Sequence, residues 1–540
     1  MNDGSLNKGK LNGNLEAFKS VAGIFMQAQS IYPKRPALIA AGQTWTYEEL
    51  GSAAAAALKR LSRIFYGNPG DRVDSVDSVA PVNDGRIAII GENHPAYIVA
   101  YWAAQCAGCS TVEVGANESL QTLLGVLSAT SPRFVVTDRD DLKSAIQGKI
   151  PVESFDEFLL RRGEPDELSG ASVLALPEIS AQTPAQTYIP TSAQMDESRE
   201  ASIIYTSGTT AAAKGVVLSQ GNFCFIAAAV ADYLFLNEKD RCALILPLCH
   251  TYGKSVLLSA AAAGAAVVMS DGFGDRQKFL SELVAQRCTV ISAVPYHLNT
   301  LVKSGCLTRY DFSSIRAITS SADKLAPSVI ESLAEALPGV QIFSMYGLTE
   351  ATTRACYVPP DMLRRKKESC GRPLPRVEIR IVTEDGRAAG TDETGEVLLR
   401  GPNIMTGYWN DPELTAETLV DGWLKTGDLG HMDADGFLYL DGRSKDIIKC
   451  AGERINPSEI EEILMEHHCV KAAAVVGRPD LLLGETIHAY VESSDPSLTK
   501  ADLREHCLAG LPRNKVPYKY TIVERLPRTD TTGKVQKHKL

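Results

Sequence analysis

The chain has 540 residues, 44% of them hydrophobic and 22% charged, with a net charge of -10. That is a globular composition, long enough for at least two domains, and its acidic balance excludes nucleic acid as the main partner. Twelve cysteines without a regular framework point to free thiols in a reducing cytoplasm. The longest apolar run, Val256 to Met269, is interrupted by Ser259 and Gly264 and is too short to span a bilayer, so no transmembrane segment is expected. Residues 1–14 are polar and hold no signal-peptide core, and His538-Lys539-Leu540 lacks the small first residue of a peroxisomal tripeptide.

In chain order, TWTYEEL at 44–50 leads into an Ala/Leu-rich helix, and a polar loop follows from Gly67 to Gly85. Strand and helix patterns then alternate: IAII at 87–90, a helix from Pro95 to Ala107, TVEV at 111–114, a helix from Ser119, and FVVTD at 134–138. Strands separated by helices predict a parallel sheet covered on both faces. Cys106 and Cys109 fall in the Ala-rich helical stretch with no second pair, which predicts helix packing rather than a metal or redox site. Residues 163–200 lose the rhythm and read as an exposed linker.

The stretch 202–222 is chemically the richest. Ile203 to Tyr205 and Val216 to Leu218 are strand patterns flanking Thr206, Ser207, Gly208, Thr209 and Thr210, with Lys214 at the far side. Hydroxyls and free N–H groups in such a loop suit a polyphosphate, and a lysine adds a point charge. The common GxxxxGK[ST] loop is absent. On the residues alone a Ser/Thr-rich hairpin turn fits equally well.

Further on, Cys249 to Gly253 reads as a loop, helices are predicted from Arg276, Pro295 and Pro327, and strands at 289–294 and 315–319. QIFSMYGLTEAT at 341–352 reads as a strand delivering Tyr346, Gly347, Thr349 and Glu350 to the edge of a parallel sheet, where ligands bind. Tyr346 suits stacking on a base, Thr349 a phosphate and Glu350 a magnesium ion. From Glu396 the pattern turns to β. Asp428, between glycines, predicts a tight turn whose carboxylate accepts from a ribose diol. Asn456, Pro457 and Glu459 predict an N-cap, first position and capping box of a helix with Ile460, Ile463 and Leu464 inward.

YTSGTT…KG at 205–215, MYGLTEAT at 345–352, WLKTGDLG at 423–430, GRSKDIIKCAGERINPSEIE at 442–461 and PRTDTTGKVQKHKL at 527–540 occur in this order. Together they resemble the adenylate-forming superfamily of acyl-CoA synthetases, adenylation domains and luciferases, from about residue 20 onward. The resemblance implies an α/β fold: a large N-terminal domain of layered parallel sheets plus a β subdomain, residues 1–441, and a small mobile α+β lid, residues 446–540, hinged at Lys445. It implies activation of a carboxylic acid by ATP and magnesium to an acyl-adenylate, then thioester formation with coenzyme A. Residues Thr206 to Lys214 would hold the β- and γ-phosphates, and Ser321, Ala322, Asp323 and Tyr346 would flank adenine. Thr349 would meet the α-phosphate, Glu350 the metal, Asp428 and Arg443 the ribose, and Lys534 the oxygens of the forming bond. His250, Tyr252, Tyr296 and Met345 would line the acyl pocket.

Two departures stand out. Ala211-Ala212-Ala213 replaces the usual Gly-x-Pro, which reshapes the phosphate loop, and Ser321 stands where many relatives have glycine. Residues 246–256 lack the aspartate that pairs an α-ammonium group, so a simple carboxylic acid is favoured over an amino acid. Lys254 reads as either solvated, paired at the surface or facing a polar substrate end. A carrier-protein phosphopantetheine supplied in trans is the alternative acceptor, and a catalytically silent nucleotide-binding protein the alternative class.

Overall fold

The computed structural model describes residues 18–66, 85–160, 196–206, 214–270, 272–493, 495–528 and 535–540. The expected N-terminal tail through residue 17, the loop 67–84 and residues 163–195 of the linker lie outside them. By contacts the chain divides into two units, residues 1–292 with 402–412, and residues 293–401 with 413–540.

The strands are β1 (Pro36–Ala40), β2 (Gln43–Thr46), β3 (Arg86–Ile90), β4 (Ser110–Val114), β5 (Phe134–Thr137), β6 (Val152–Glu153), β7 (Glu200–Thr206), β8 (Lys214–Ser219), β9 (Arg241–Leu244), β10 (Ala266–Met269), β11 (Val290–Ala293), β12 (Ala317–Ser320) and β13 (Gln341–Tyr346). They continue as β14 (Cys356–Tyr357), β15 (Arg372–Pro373), β16 (Glu378–Val382), β17 (Gly395–Arg400), β18 (Gly407–Tyr408), β19 (Leu419–Val420), β20 (Trp423–Met432), β21 (Leu438–Arg443), β22 (Ile448–Cys450), β23 (Glu453–Ile455), β24 (Ala472–Asp480), β25 (Gly484–Glu492) and β26 (Lys519–Val523). The helices are α1 (Val21–Ile31), α2 (Tyr47–Tyr66), α3 (Pro95–Cys106), α4 (Leu120–Thr130), α5 (Asp140–Ile146), α6 (Phe155–Leu160), α7 (Gln220–Tyr233), α8 (Thr251–Ala263), α9 (Arg276–Ala285), α10 (Pro295–Lys303), α11 (Pro327–Ala336), α12 (Pro412–Thr418), α13 (Pro457–Glu466) and α14 (Lys500–Gly510).

In the first unit, β7, β4, β3, β5 and β6 run parallel, and β8 closes antiparallel on β7 as a hairpin, with β18 beyond it. A second sheet has β11, β9, β10 and β1 parallel and β2 antiparallel at its edge. From Ala96 to Cys106, α3 is buried on every side, and its sequence is apolar all round. His94 caps it and Pro95 occupies its first position. Cys106 and Cys109 pack in this core, and burial pushes both thiols up to about 12, which makes them inert.

In the second unit, β12 and β13 are parallel, with β14 and β15 antiparallel beyond them. A separate antiparallel sheet orders β16-β17-β20-β19, with β21 also on β20. Residues 448–520 build an α+β core of their own, in which Ile448, Ile460, Leu464, Ile487, Val491 and Leu503 are buried together. Asn456 caps α13 through Ser458 N–H, as the sequence predicts. The capping box does not form, because the Glu459 carboxylate pairs with Lys515 instead.

Two local expectations are corrected. The Cys249–Gly253 loop is largely helical: His250 is the N-cap of α8, and the helix starts at Thr251. Asp428 lies within β20, opposite Arg443 on β21, and not in a tight turn. Glu396 faces Leu429 and Leu398 faces Lys425, so Val397 alone stands against Thr426, Gly427 and Asp428. The excess is a bulge, and Gly427 takes the left-handed φ of 69° that it needs.

Candidate active site

The second unit brings Tyr346, Asp428 and Arg443 together. β13 ends at Tyr346, whose hydroxyl donates to Asp428 Oδ2 at 2.6 Å. Arg443 Nε lies 3.0 Å from Asp428 Oδ1. The bulge aims the carboxylate, and its own backbone is satisfied: Thr426 Oγ1 donates to the Val397 carbonyl and accepts from Asp428 N–H. Asp428 is 5% exposed, yet among the described residues each carboxylate oxygen has one side-chain partner and keeps a lone pair beyond it, which fits a ribose diol. Burial, then the charge of Asp428, push the Tyr346 phenol well up, so it remains a proton donor. Burial works against the Arg443 guanidinium, but Asp428, Tyr346, Asp446 and Glu350 together hold it above its ordinary value.

Thr349 and Glu350 sit on a single 3-10 turn, Thr349–Ala351, directly after β13. Both are half-buried. The crossing there is tight: a Cβ on Gly347 would come within 1.9 Å of the Thr353 carbonyl oxygen, so only glycine fits. A hard carboxylate oxygen at Glu350 suits magnesium shared with phosphate oxygens.

β12 ends beside β13, with Ser320 paired to Ser344. The hydroxyls of Ser320 and Ser321 are buried and have no hydrogen-bond partner among the described residues. An unmet buried hydroxyl costs about 1–3 kcal/mol, which a bound polar group would recover. Ala322 follows at φ 79°, a left-handed conformation costing an L residue about 1–2 kcal/mol, and no sequence pattern signals it. Two unmet hydroxyls and a strained residue in succession mark this strand end as a ligand edge. Tyr296, on α10, is 42% exposed and lies under the Arg528 guanidinium at 5.3 Å. Met345 is buried in β13 opposite Tyr357.

In the first unit, Thr206 and Lys214 are cross-strand partners, the last pair of β7 and β8 before the hydroxyl-rich segment. Ser207, Gly208, Thr209 and Thr210 lie outside the described residues, as does Lys534. The Lys214 ammonium stands 5.5 Å over the Tyr408 ring. His250 and Tyr252 occupy the N-terminal end of α8. Burial holds the His250 imidazole neutral, its pKa down to about 4.

Lys254 is corrected most sharply. It is fully buried in α8, 2.7 Å from Glu113 Oε2 on β4, with its ammonium 3.5 Å over the Tyr101 ring. Burial lowers its pKa, and Glu113 opposes the shift. Tyr97 donates to the same Glu113 oxygen, and Thr111 and Ser202 donate to the other. Lys254 is thus neither solvated nor facing substrate. It is one half of an internal ion pair that sequence reasoning missed.

The buried His297 imidazole is also held neutral, with its pKa lowered by burial from 6.5 to about 4. Between those values the folded chain binds fewer protons than the unfolded one. Stability is therefore expected to fall as pH drops from 6.5 toward 4, by up to about 1.4 kcal/mol per pH unit from this residue. Denaturation midpoints across that range should be flatter in His297→Gln than in the wild type. Equal slopes would remove His297 from this role.

Residues 25–409 match the family model for AMP-binding enzymes, and residues 459–534 match that for the AMP-binding enzyme C-terminal domain. An indoleacetate–CoA ligase of Aromatoleum aromaticum is 37% identical over 373 residues, 69% of either chain. A 2-succinylbenzoate–CoA ligase of Bacillus subtilis is 31% identical over 503 residues, 93% of this chain and 94% of that one. The solved o-succinylbenzoate CoA synthetase (MenE) of Bacillus subtilis, in complex with its acyl-adenylate intermediate, matches with a TM-score of 0.80 at 30% identity, over 95% of this chain and 96% of that one. With the motif order, the layered α/β sheets and the small C-terminal α+β core in agreement, the chain belongs to the adenylate-forming family of AMP-binding enzymes.

Proposed function

We propose that the chain is an AMP-forming acid–thiol ligase: it activates a carboxylic acid with ATP to an acyl-adenylate and passes the acyl group to the thiol of coenzyme A. The convergence of Tyr346, Asp428 and Arg443 beside the unmet Ser320 and Ser321 hydroxyls carries this reading, because it offers polar groups for a nucleoside at the end of parallel strands. The CoA ligases among the relatives support the acceptor.

In this reading Asp428 accepts from the ribose hydroxyls while Arg443 and Tyr346 fix its orientation. Thr349 donates to the α-phosphate. The Thr206–Lys214 segment holds the β- and γ-phosphates. Glu350 would hold a magnesium ion, which neutralises phosphate charge when bound. Lys534 stabilises charge on the oxygens of the bond being formed. In-line attack by the substrate carboxylate on phosphorus needs positioning and positive charge rather than a protein nucleophile. Residues 446–540 act as a lid turning about Lys445. The acid is a simple carboxylic acid, and the free thiols favour a cytoplasmic setting.

Magnesium-dependent ATP–pyrophosphate exchange tests the proposal across indoleacetate, 2-succinylbenzoate, fatty acids and amino acids. Exchange with one of the non-amino acids is expected, and Glu350→Gln should slow it and weaken its magnesium dependence. Exchange with leucine or phenylalanine alone would overturn the substrate class, and none with any acid would favour a silent nucleotide-binding protein.

A further inference from the structure

We propose that the corner between α13 and β24 is a binding site for a borderline divalent ion such as zinc, with His467, His468, Cys469 and Asp495 as ligands. The coordinating atoms of the first three all lie within 4.8 Å of one another. Asp495 Oδ2 is 3.1 Å from Cys469 Sγ, the thiol donating to it. Two imidazoles, a thiolate and one carboxylate make a four-ligand set of the kind that zinc takes up tetrahedrally. A thiolate with two imidazoles selects a borderline metal over magnesium, which prefers oxygen alone, so this site is distinct from any metal carried with ATP.

The frame around these groups is already fixed. Asp495 Oδ1 accepts from the N–H and hydroxyl of Ser497, which leaves Oδ2 turned to the sulfur. Ser493 Oγ donates to the Cys469 carbonyl and accepts from Asp495 N–H, tying the two segments together. His467 Nδ1 accepts from Cys469 N–H at 3.3 Å, so that nitrogen is unprotonated and its bond is weak enough to give up. Zinc bonds of about 2.0–2.3 Å need ligand atoms about 3.3–3.8 Å apart, so the two imidazoles and the sulfur close by about 1 Å through side-chain rotation, while Asp495 enters from its place beside the sulfur. On binding, the Cys469 sulfur gives its proton to solvent and bonds the metal in its place.

The test uses the untagged full-length chain, stripped of metal and kept reduced, titrated with cobalt(II) as a spectroscopic stand-in. One cobalt per chain is expected, with a sulfur-to-cobalt charge-transfer band that zinc abolishes and excess magnesium leaves unchanged. Cys469→Ser should remove the band, and Asp495→Asn should weaken binding by at least about 10-fold while keeping it. No band in the wild type, or a band that survives Cys469→Ser, overturns the site. Both substitutions are near-isosteric at the surface, and a circular dichroism spectrum matching the wild type confirms that each variant is folded.

Discussion

Glu113→Ala is expected to destabilise the protein by about 3–5 kcal/mol, the usual cost of stranding one charge of a buried pair. At 2.7 Å and an effective dielectric of 20, the two charges attract by about 6 kcal/mol, against several kcal/mol of desolvation for each ion. The intact pair therefore contributes little net stability, but neither partner tolerates loss of the other. Removing Glu113 leaves the Lys254 ammonium fully buried against the Tyr97 and Tyr101 rings, takes the Tyr97 hydroxyl's acceptor away, and leaves Thr111 and Ser202 with their bond to each other. Glu113→Gln with Lys254→Met together should recover most of the loss. Urea unfolding followed by tryptophan fluorescence measures it in the first transition, since a chain of two units need not unfold in one step. A Glu113→Ala cost under about 1 kcal/mol would mean that water or a shifted side chain reaches Lys254.

Lys534→Ala is expected to slow adenylate formation by at least about 10²-fold, the typical loss for one preorganised electrostatic contact. Thioester formation from a synthetic acyl-adenylate should stay nearly intact, because the lid that carries Lys534 would have turned away. Lys445→Pro should do the reverse, keeping pyrophosphate exchange and losing thioester formation. Lys445 lies on an exposed 3-10 turn, Ser444–Asp446, between β21 and β22, where a few backbone angles can absorb a rotation. Proline there fixes φ near -65° and removes one N–H. The Lys324–Glu462 ion pair, 2.6 Å, and the Lys303 bond to the Val470 carbonyl, 3.1 Å, join residues before and after Lys445, so a rotation would break both. Equal loss of both half-reactions in Lys534→Ala would make that residue structural, and wild-type thioester synthesis in Lys445→Pro would remove the hinge.

Elements with a local cause were legible in the sequence. β3, β4 and β5 stand out because helices separate them, and α4, α10 and α13 because Ser119, Pro295 and Asn456 mark their starts. The start of α8 reads as a loop because His250 is not one of the usual capping residue types and the helix has no polar face. Lys254 then reads as a solvent marker, since its partner Glu113 lies on a strand far earlier in the chain. The motifs assign Tyr346, Asp428 and Arg443 each to the nucleotide, yet the Tyr346–Asp428 bond joins strands 82 positions apart and no spacing rule announces it. The bulge hid for a related reason: glycines around an aspartate signal a turn and a kinked strand alike.

The bulge also restricts which changes of chain length the proposed nucleotide site survives. Three residues opposite Val397 in place of one amount to an insertion of two, an even number, so the alternation of faces keeps its phase along β20, with Leu424, Asp428 and Gly430 all buried. Deleting Gly427 alone would shift that phase by one and turn the residues on one side of the cut to the opposite face of the sheet. Asp428 would then leave Tyr346 and Arg443 even though no side chain had been substituted. Removing Thr426 and Gly427 together would restore the phase on a flat ladder. Natural or engineered length variation at this point is thus confined to steps of two residues.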